Sequence, residues 1–179
     1  MSAAPLFSFP LKVLTAATSL LGLGLLVGFV MSGRWEVERS ASLAAPPAAV
    51  FPWVDDPRRW DEWAPLGDIQ ATFSGPARGA GAVRSWDDPE VGDGVFTIVS
   101  AVPDQKVAYR VEVQEGKMIT EGTLSLSAEG SGTRVTWRER GDFGHNPLLG
   151  YIARTMDRTQ GAQMEGALKR LSEKVAASR

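Results

Sequence analysis

The chain of 179 residues contains no cysteine and a single histidine, His145. The first absence removes disulfide scaffolds, thiolate nucleophiles and cysteine-based zinc sites. The second leaves no histidine cluster to ligate a metal. Positive charge is not in excess either: 19 Lys and Arg stand against 21 Asp and Glu, a formal net charge of −2. A surface that grips phosphate backbones needs clustered cations, so nucleic-acid binding is not expected. Phosphate-binding glycine loops, a nucleophile elbow and metal-ligand spacings are missing. No catalytic residue, metal or cofactor is assigned. Apolar residues make up 44% of the chain and charged residues 22%, a composition that builds a core rather than a disordered coil.

Charge is also absent from one long stretch. Between Lys12 and Arg34 lie 21 uncharged residues, Val13–Gly33. As a helix they extend roughly 32 Å, enough for a bilayer core. The run is apolar on every face, unlike a helix packed on a soluble core. A single-pass anchor over 13–33, after a tail over 1–12, is the expectation, with a cleaved signal peptide as the competing reading. Lys12 on one flank and Arg34 and Arg39 on the other leave the side of the membrane open. Gly24 and Gly28 are spaced as in close-packed membrane helices, although glycine is common in such helices without that role.

The rest, residues 34–179, forms one domain. With Lys12 set aside, it holds 18 basic and 21 acidic residues. Trp35–Leu43 alternates like a strand with one wet face. Ala45-Pro46-Pro47 ends it, and Pro47 opens a short helix through Val54. Asp56-Pro57 is read as the cap and first residue of a second helix carrying Trp60 and Trp63. Strand-like segments follow at Ile69–Phe73, Ala82–Trp86, Val95–Val102, Val107–Val113, Met118–Leu126 and Arg134–Arg140. Turn chemistry at Pro103-Asp104, Glu115-Gly116 and Gly130–Gly132 argues for an antiparallel meander. After Asn146-Pro147 the period becomes helical: Leu149, Ile152, Met156, Gln160, Met164, Leu168, Leu171 and Val175 share a stripe. One long helix over this stretch is predicted, with Gly161 marking a bend or a close contact. A single helix covers seven strands only if the sheet curls around it, and such a fold encloses space.

Four motifs, in order and at matching spacing, resemble the START/Bet v 1-like superfamily, also called SRPBCC or polyketide cyclase/dehydrase-like. They are Val37-Glu-Arg with Ala45-Pro-Pro-Ala-Ala-Val-Phe51; Asp55-Asp-Pro-Arg-Arg-Trp60-Asp-Glu-Trp63-Ala-Pro65; Gly132-Thr-Arg-Val-Thr-Trp137; and Gly161-Ala-Gln-Met-Glu-Gly-Ala-Leu168-Lys-Arg-Leu171. The resemblance covers Glu36–Val175, and the apolar N-terminal helix is similar to that of membrane-anchored bacterial members. It implies an α+β helix-grip fold, a curved antiparallel seven-stranded sheet around the C-terminal helix, with an apolar ligand cavity between them. It carries no universal catalytic triad.

Strand alternation then selects candidates for the cavity wall. Val135, Trp137 and Glu139 share the inward face of the last strand, away from Arg134, Thr136, Arg138 and Arg140. Met118, Thr120, Leu124 and Leu126 face in before it, as do Val107, Tyr109, Val111 and Val113. Arg84 lies on the side of Trp86, and Ile152, Met156 and Met164 are offered by the helix. The pocket candidates are Arg84, Trp86, Tyr109, Met118, Trp137, Glu139 and Met156, each also able to serve as plain core. Trp60 and Trp63 are assigned to structure. Arg84 and Glu139, if both inward, would pair or hold a polar head group. His145 is read as a solvated loop residue, and Asp55/Asp56 and Asp87/Asp88 as caps and turns. Three functions are consistent with this: a membrane-anchored binder of a hydrophobic small molecule or lipid, a cyclase or dehydratase, and an interaction module that positions an unidentified protein at the membrane.

Overall fold

The computed structural model describes residues 8–64, 69–89, 92–144 and 146–178. His145 and its loop position therefore lie outside the described residues. Helix α1, Ser8–Val30, takes in the uncharged run as far as Val30. Strand β1, Arg34–Leu43, follows after a three-residue bend, alternating exposed and buried side chains over Arg34–Glu38. The two prolines then act as their chemistry dictates. Pro46 is extended at the N-cap and Pro47 starts α2, Pro47–Val54, which buries Val50, Phe51, Trp53 and Val54.

The next helix is shorter than expected. Asp56 Oδ1 accepts from Arg58 N at 2.9 Å and closes a turn, but α3 covers only Trp60–Trp63 and starts after Arg59. The side-chain bond two residues on satisfies the local turn, so Pro57 does not open the helix.

Six further strands complete the sheet: β2 (Ala71–Ser74), β3 (Val83–Asp88), β4 (Gly92–Val102), β5 (Lys106–Val113), β6 (Met118–Glu129) and β7 (Gly132–Asp142). All pairs are antiparallel, in the order β1-β7-β6-β5-β4-β3-β2. A register shift between Ile98 and Ser100 bends β4 and adds to the sheet's curl. The β5–β6 turn runs through Gln114, Glu115 and Gly116, all at positive φ.

The C-terminal stripe is divided between two helices. Helix α4, Pro147–Ala153, is capped by Asn146, whose Oδ1 accepts from Leu148 N at 2.9 Å. Helix α5, Met156–Ala177, begins after a tight turn in which Thr155 N and Oγ1 both reach Ile152 O at 2.8 Å. That turn keeps the residue spacing while changing the axis, so periodicity ran through it unseen. The consequence falls on Ile152: it is exposed on α4, not inside the domain. Helix α4 instead rests on α1, where Tyr151 Oη donates to Gly24 O at 2.7 Å. A Cβ on Gly28 would overlap the Pro147 backbone.

The sheet closes over α5, which buries Met164, Ala167, Leu168, Leu171 and Val175. Gly161 marks a close contact: a Cβ there would overlap the Arg39 guanidinium. That guanidinium bridges Asp157 Oδ1 at 2.9 Å and Glu165 Oε1 at 2.6 Å, and so fastens α5 to β1.

Candidate ligand-binding cavity

Alternation on three strands aims polar and aromatic side chains at the space under α5. On β7, Val135, Trp137 and Glu139 are buried while Arg134, Arg138 and Arg140 are exposed. The exposed set forms ion pairs on the far face of the sheet, Arg138 with Glu38 at 2.7 Å and Arg140 with Glu121 at 2.6 Å. Hollows on that face are therefore floored by solvated charge.

The inner chamber differs. It has a volume of about 640 Å³ and lies between α5, α3 and strands β3, β4, β5 and β7. Trp60, Trp86, Phe96, Val111, Val113 and Met164 contribute apolar and aromatic wall. Trp60 is at the centre of a ring cluster, with centroids 4.7 Å from Phe96, 4.9 Å from Tyr109 and 6.0 Å from Trp137. Its Nε1 donates to Val54 O at 3.0 Å, so its polar end is satisfied away from the chamber.

One polar network crosses the wall. Tyr109 Oη donates a short hydrogen bond to Glu139 Oε1 and accepts from Trp137 Nε1 at 2.7 Å. Gln160 Nε2 of α5 donates to Glu139 Oε2 at 2.7 Å. Glu139 is 6% exposed. Burial raises its carboxyl above the ordinary value, against the opposing effect of the Tyr109 and Gln160 bonds. Tyr109 is held well above its usual range by burial first, then by the Glu139 charge and the bond to it. The tyrosine is therefore a fixed donor, not a source of phenolate.

A second polar group faces it from β3. Arg84 is 2% exposed, and its Nη2 lies 2.7 Å from Asp61 Oδ1 on α3. Arg84 and Glu139 both line the chamber, each with a partner other than the opposite charge.

Of the seven candidates, Arg84, Trp86, Tyr109, Trp137 and Glu139 are brought together in this chamber. Met118 and Met156 are half-buried and lie outside its lining. Phe96, Gln160, Asp61 and Trp60 were not among the candidates. Phe96 was legible as the inward neighbour of Ile98, and Gln160 as a member of the helical stripe. Trp60 combines the assigned structural role with a place in the wall. Asp61 gave no signal, because its role depends on where α3 is set. The pair Asp55/Asp56 divides: Asp56 closes its turn, while Asp55 is buried and pairs with Arg78 at 2.9 Å. Burial raises Asp55 despite that partner. Among the described residues no cluster of three or more His, Asp or Glu converges to hold a metal.

Comparison with known proteins bears on this geometry. A family model described as polyketide cyclase / dehydrase and lipid transport matches residues 34–176. The chain belongs to that family. Solved structures share the fold. A Rhodobacter sphaeroides protein is similar at 19% identity and a TM-score of 0.58, over 81% of this chain and 94% of the other. A Rhizobium loti protein is similar at 25% identity and a TM-score of 0.53, over 78% and 96%. A protein of the dynemicin biosynthetic locus is similar at 18% identity and a TM-score of 0.55, over 80% and 48%. No curated protein matches. The family and the shared fold are those of a ligand-binding or cyclase-like domain.

Proposed function

We propose that the protein is a membrane-anchored binding domain for an apolar or amphipathic small molecule, lipids included, held between the sheet and α5. The observation that carries this is the chamber of about 640 Å³ with its aromatic wall and few, fixed polar groups. The family description, which includes lipid transport, supports the same reading.

The anchor has separate support. Val13–Val30 is long and apolar enough to cross a bilayer, and only 6% of it is buried. An apolar helix with so little protein cover is suited to lipid cover. A signal sequence has the same composition. What favours a retained helix is the seat it gives to α4, with the Tyr151–Gly24 bond and the Gly28–Pro147 contact. Cleavage would discard both.

Native mass spectrometry of the full chain, extracted gently from its host, tests the binding reading. A co-purifying small molecule is expected, together with uptake of a polarity-sensitive apolar dye by the emptied protein. An empty spectrum with no dye uptake would overturn the reading and favour the protein-interaction module.

A cyclase-like activity is the second reading, favoured by a buried carboxyl whose protonated form is stabilised in the chamber wall. Glu139→Gln would then abolish conversion of a polyketide-type compound while leaving its binding intact. Both Glu139 oxygens already accept hydrogen bonds, which makes binding the leading reading.

A further inference from the structure

Polar groups in the chamber are unevenly supplied. On the β7 side Glu139 accepts at both oxygens, and Tyr109 both donates and accepts. On the β3 side only donors are left over. Arg84 Nε has no acceptor, and Nη2 makes no bond along an N–H despite the nearby Asp61 carboxylate. Trp86, with its ring 5.9 Å from the Arg84 guanidinium carbon, leaves Nε1 unpaired. Arg84 and Trp86 both line the chamber. Buried donors without acceptors are costly, and a buried cation most of all. Among the described lining residues no buried side-chain acceptor is left unpaired to meet them.

We propose that the ligand carries a carboxylate, received by Arg84 with Trp86 Nε1 beside it, while its apolar body lies along Phe96, Val111 and Val113. This rests on the cavity-binding reading above. A guanidinium presents a planar fork that matches two coplanar oxygens. Asp61 holds that place in this structure. It is 42% exposed at its side chain and sits on a four-residue helix, so it turns to water when the ligand's carboxylate arrives. The exchange keeps the buried charge neutral.

Laurate and its methyl ester, competing against a neutral apolar dye on the full chain in nanodiscs, provide the test. Laurate is expected to displace the dye at roughly tenfold lower concentration than the ester, the scale of a charge-assisted bond. In Arg84→Gln protein that still takes up dye, that preference should be gone. Asp61→Asn, which removes the competing carboxylate and leaves the wall intact, should strengthen laurate binding. Equal displacement by acid and ester in the wild type would overturn the proposal, as would an unchanged preference in a dye-binding Arg84→Gln. If Arg84→Gln does not fold, weaker or unchanged laurate binding by Asp61→Asn would overturn it instead. Failure of the wild type to take up dye at all would sink the cavity reading rather than the head-group assignment.

A different observation concerns α4. The seven residues Pro147–Ala153 carry no charge, and Leu148, Tyr151 and Ile152 are 62%, 41% and 46% exposed. Their neighbour is α1. Gly24, which accepts from Tyr151, lies six residues inside the apolar span ending at Val30, a depth of roughly 9 Å at the helical rise. The seat is tight: a Cβ on Gly150 would stand 2.9 Å from Met31 Cβ and 3.2 Å from Gly28 O. The geometry points to α4 as a second membrane element, lying in the bilayer interface with Leu148 and Ile152 among lipid chains. On this assignment Gly28 receives α4, not a second copy of α1.

This rests on the anchor reading, and the absence of native cysteine makes it directly testable. Single-cysteine variants of the full chain in nanodiscs are labelled with a membrane-impermeant maleimide. Ile152→Cys and Leu148→Cys should react at least tenfold more slowly than Glu173→Cys, on the exposed face of α5. Equal rates would overturn the assignment. Rapid labelling of Leu20→Cys, in the middle of α1, would instead overturn the anchor itself.

Discussion

The ring of Tyr109 occupies the space where a side chain on Gly122 would stand. The two residues are directly paired across β5 and β6, and a Cβ on Gly122 would overlap the phenol. The same pairing recurs at Trp86 with Gly94 and at Trp35 with Gly141. Glycine inside a strand weakens it, yet here each one lets an aromatic lie across the neighbouring strand. Gly122→Ala should therefore destabilise the protein by about 1–3 kcal/mol, the usual cost of overpacking. It should also move the Tyr109 hydroxyl off Glu139. Thermal melting measures the first effect. If Gly122→Ala melts with the wild type, the ring does not depend on that space.

Much of this architecture was legible from period and punctuation. The seven strands, the Pro47 and Asn146-Pro147 helix starts and the inward set Val135, Trp137 and Glu139 follow from alternation and capping, both local properties. What was hidden depends on tertiary placement. The turn at Thr155 preserves residue spacing, so Ile152 kept its place in the stripe while the helix axis changed. Met118 is on the inward face by parity, but parity does not say how far along a curved strand the chamber extends. Of the glycines in these pairs only Gly122 fell inside an expected strand, Gly94 and Gly141 lying one residue outside theirs, and only register shows which aromatic each one serves.

Glu139 predicts a pH dependence. Its carboxyl is raised in the folded protein above the ordinary 4.5. The folded state thus binds the proton more tightly than the unfolded chain. The associated stability is fully present below about pH 4.5 and is lost as pH rises through the higher folded value. Asp55 is raised in the same direction, so the wild type carries both contributions. Glu139→Gln removes one. The melting temperature of the wild type relative to Glu139→Gln should fall as pH rises across this window, and a constant difference would remove Glu139 as a titrating group there.

Arg39 and Gly161 should be energetically coupled. Alanine at 161 gains about 1 kcal/mol in helix propensity, but its methyl would displace a guanidinium held by Asp157 and Glu165. Once Arg39 is also alanine, the three atoms nearest that methyl are gone. The double variant should therefore be more stable than the sum of the two single changes indicates, by about 0.5–3 kcal/mol. Additive effects would show that Arg39 yields freely.

Trp60 and Trp63 are three residues apart on one short helix but should respond differently to truncation. Trp63 is fully buried, its Nε1 donates to Trp53 O at 3.0 Å, and its ring is edge-on to Trp137 at 5.4 Å. Its own carbonyl accepts from Arg170 Nε of α5 at 2.9 Å, so the residue joins α3 to the long helix. Trp63→Ala leaves a closed void and an unpaired Trp53 carbonyl, at a cost of about 3–5 kcal/mol. Trp60 also loses a bond, to Val54 O, but its ring borders a chamber that already exists. Trp60→Ala enlarges that chamber, which a ligand or water can occupy, and its cost should be the smaller. Melting of the two variants in the same nanodiscs separates them: Trp63→Ala should melt lower, while Trp60→Ala keeps dye uptake and accepts a bulkier dye. A Trp60→Ala protein as unstable as Trp63→Ala, with no gain in dye size, would mean that the ring fills core rather than borders a binding space.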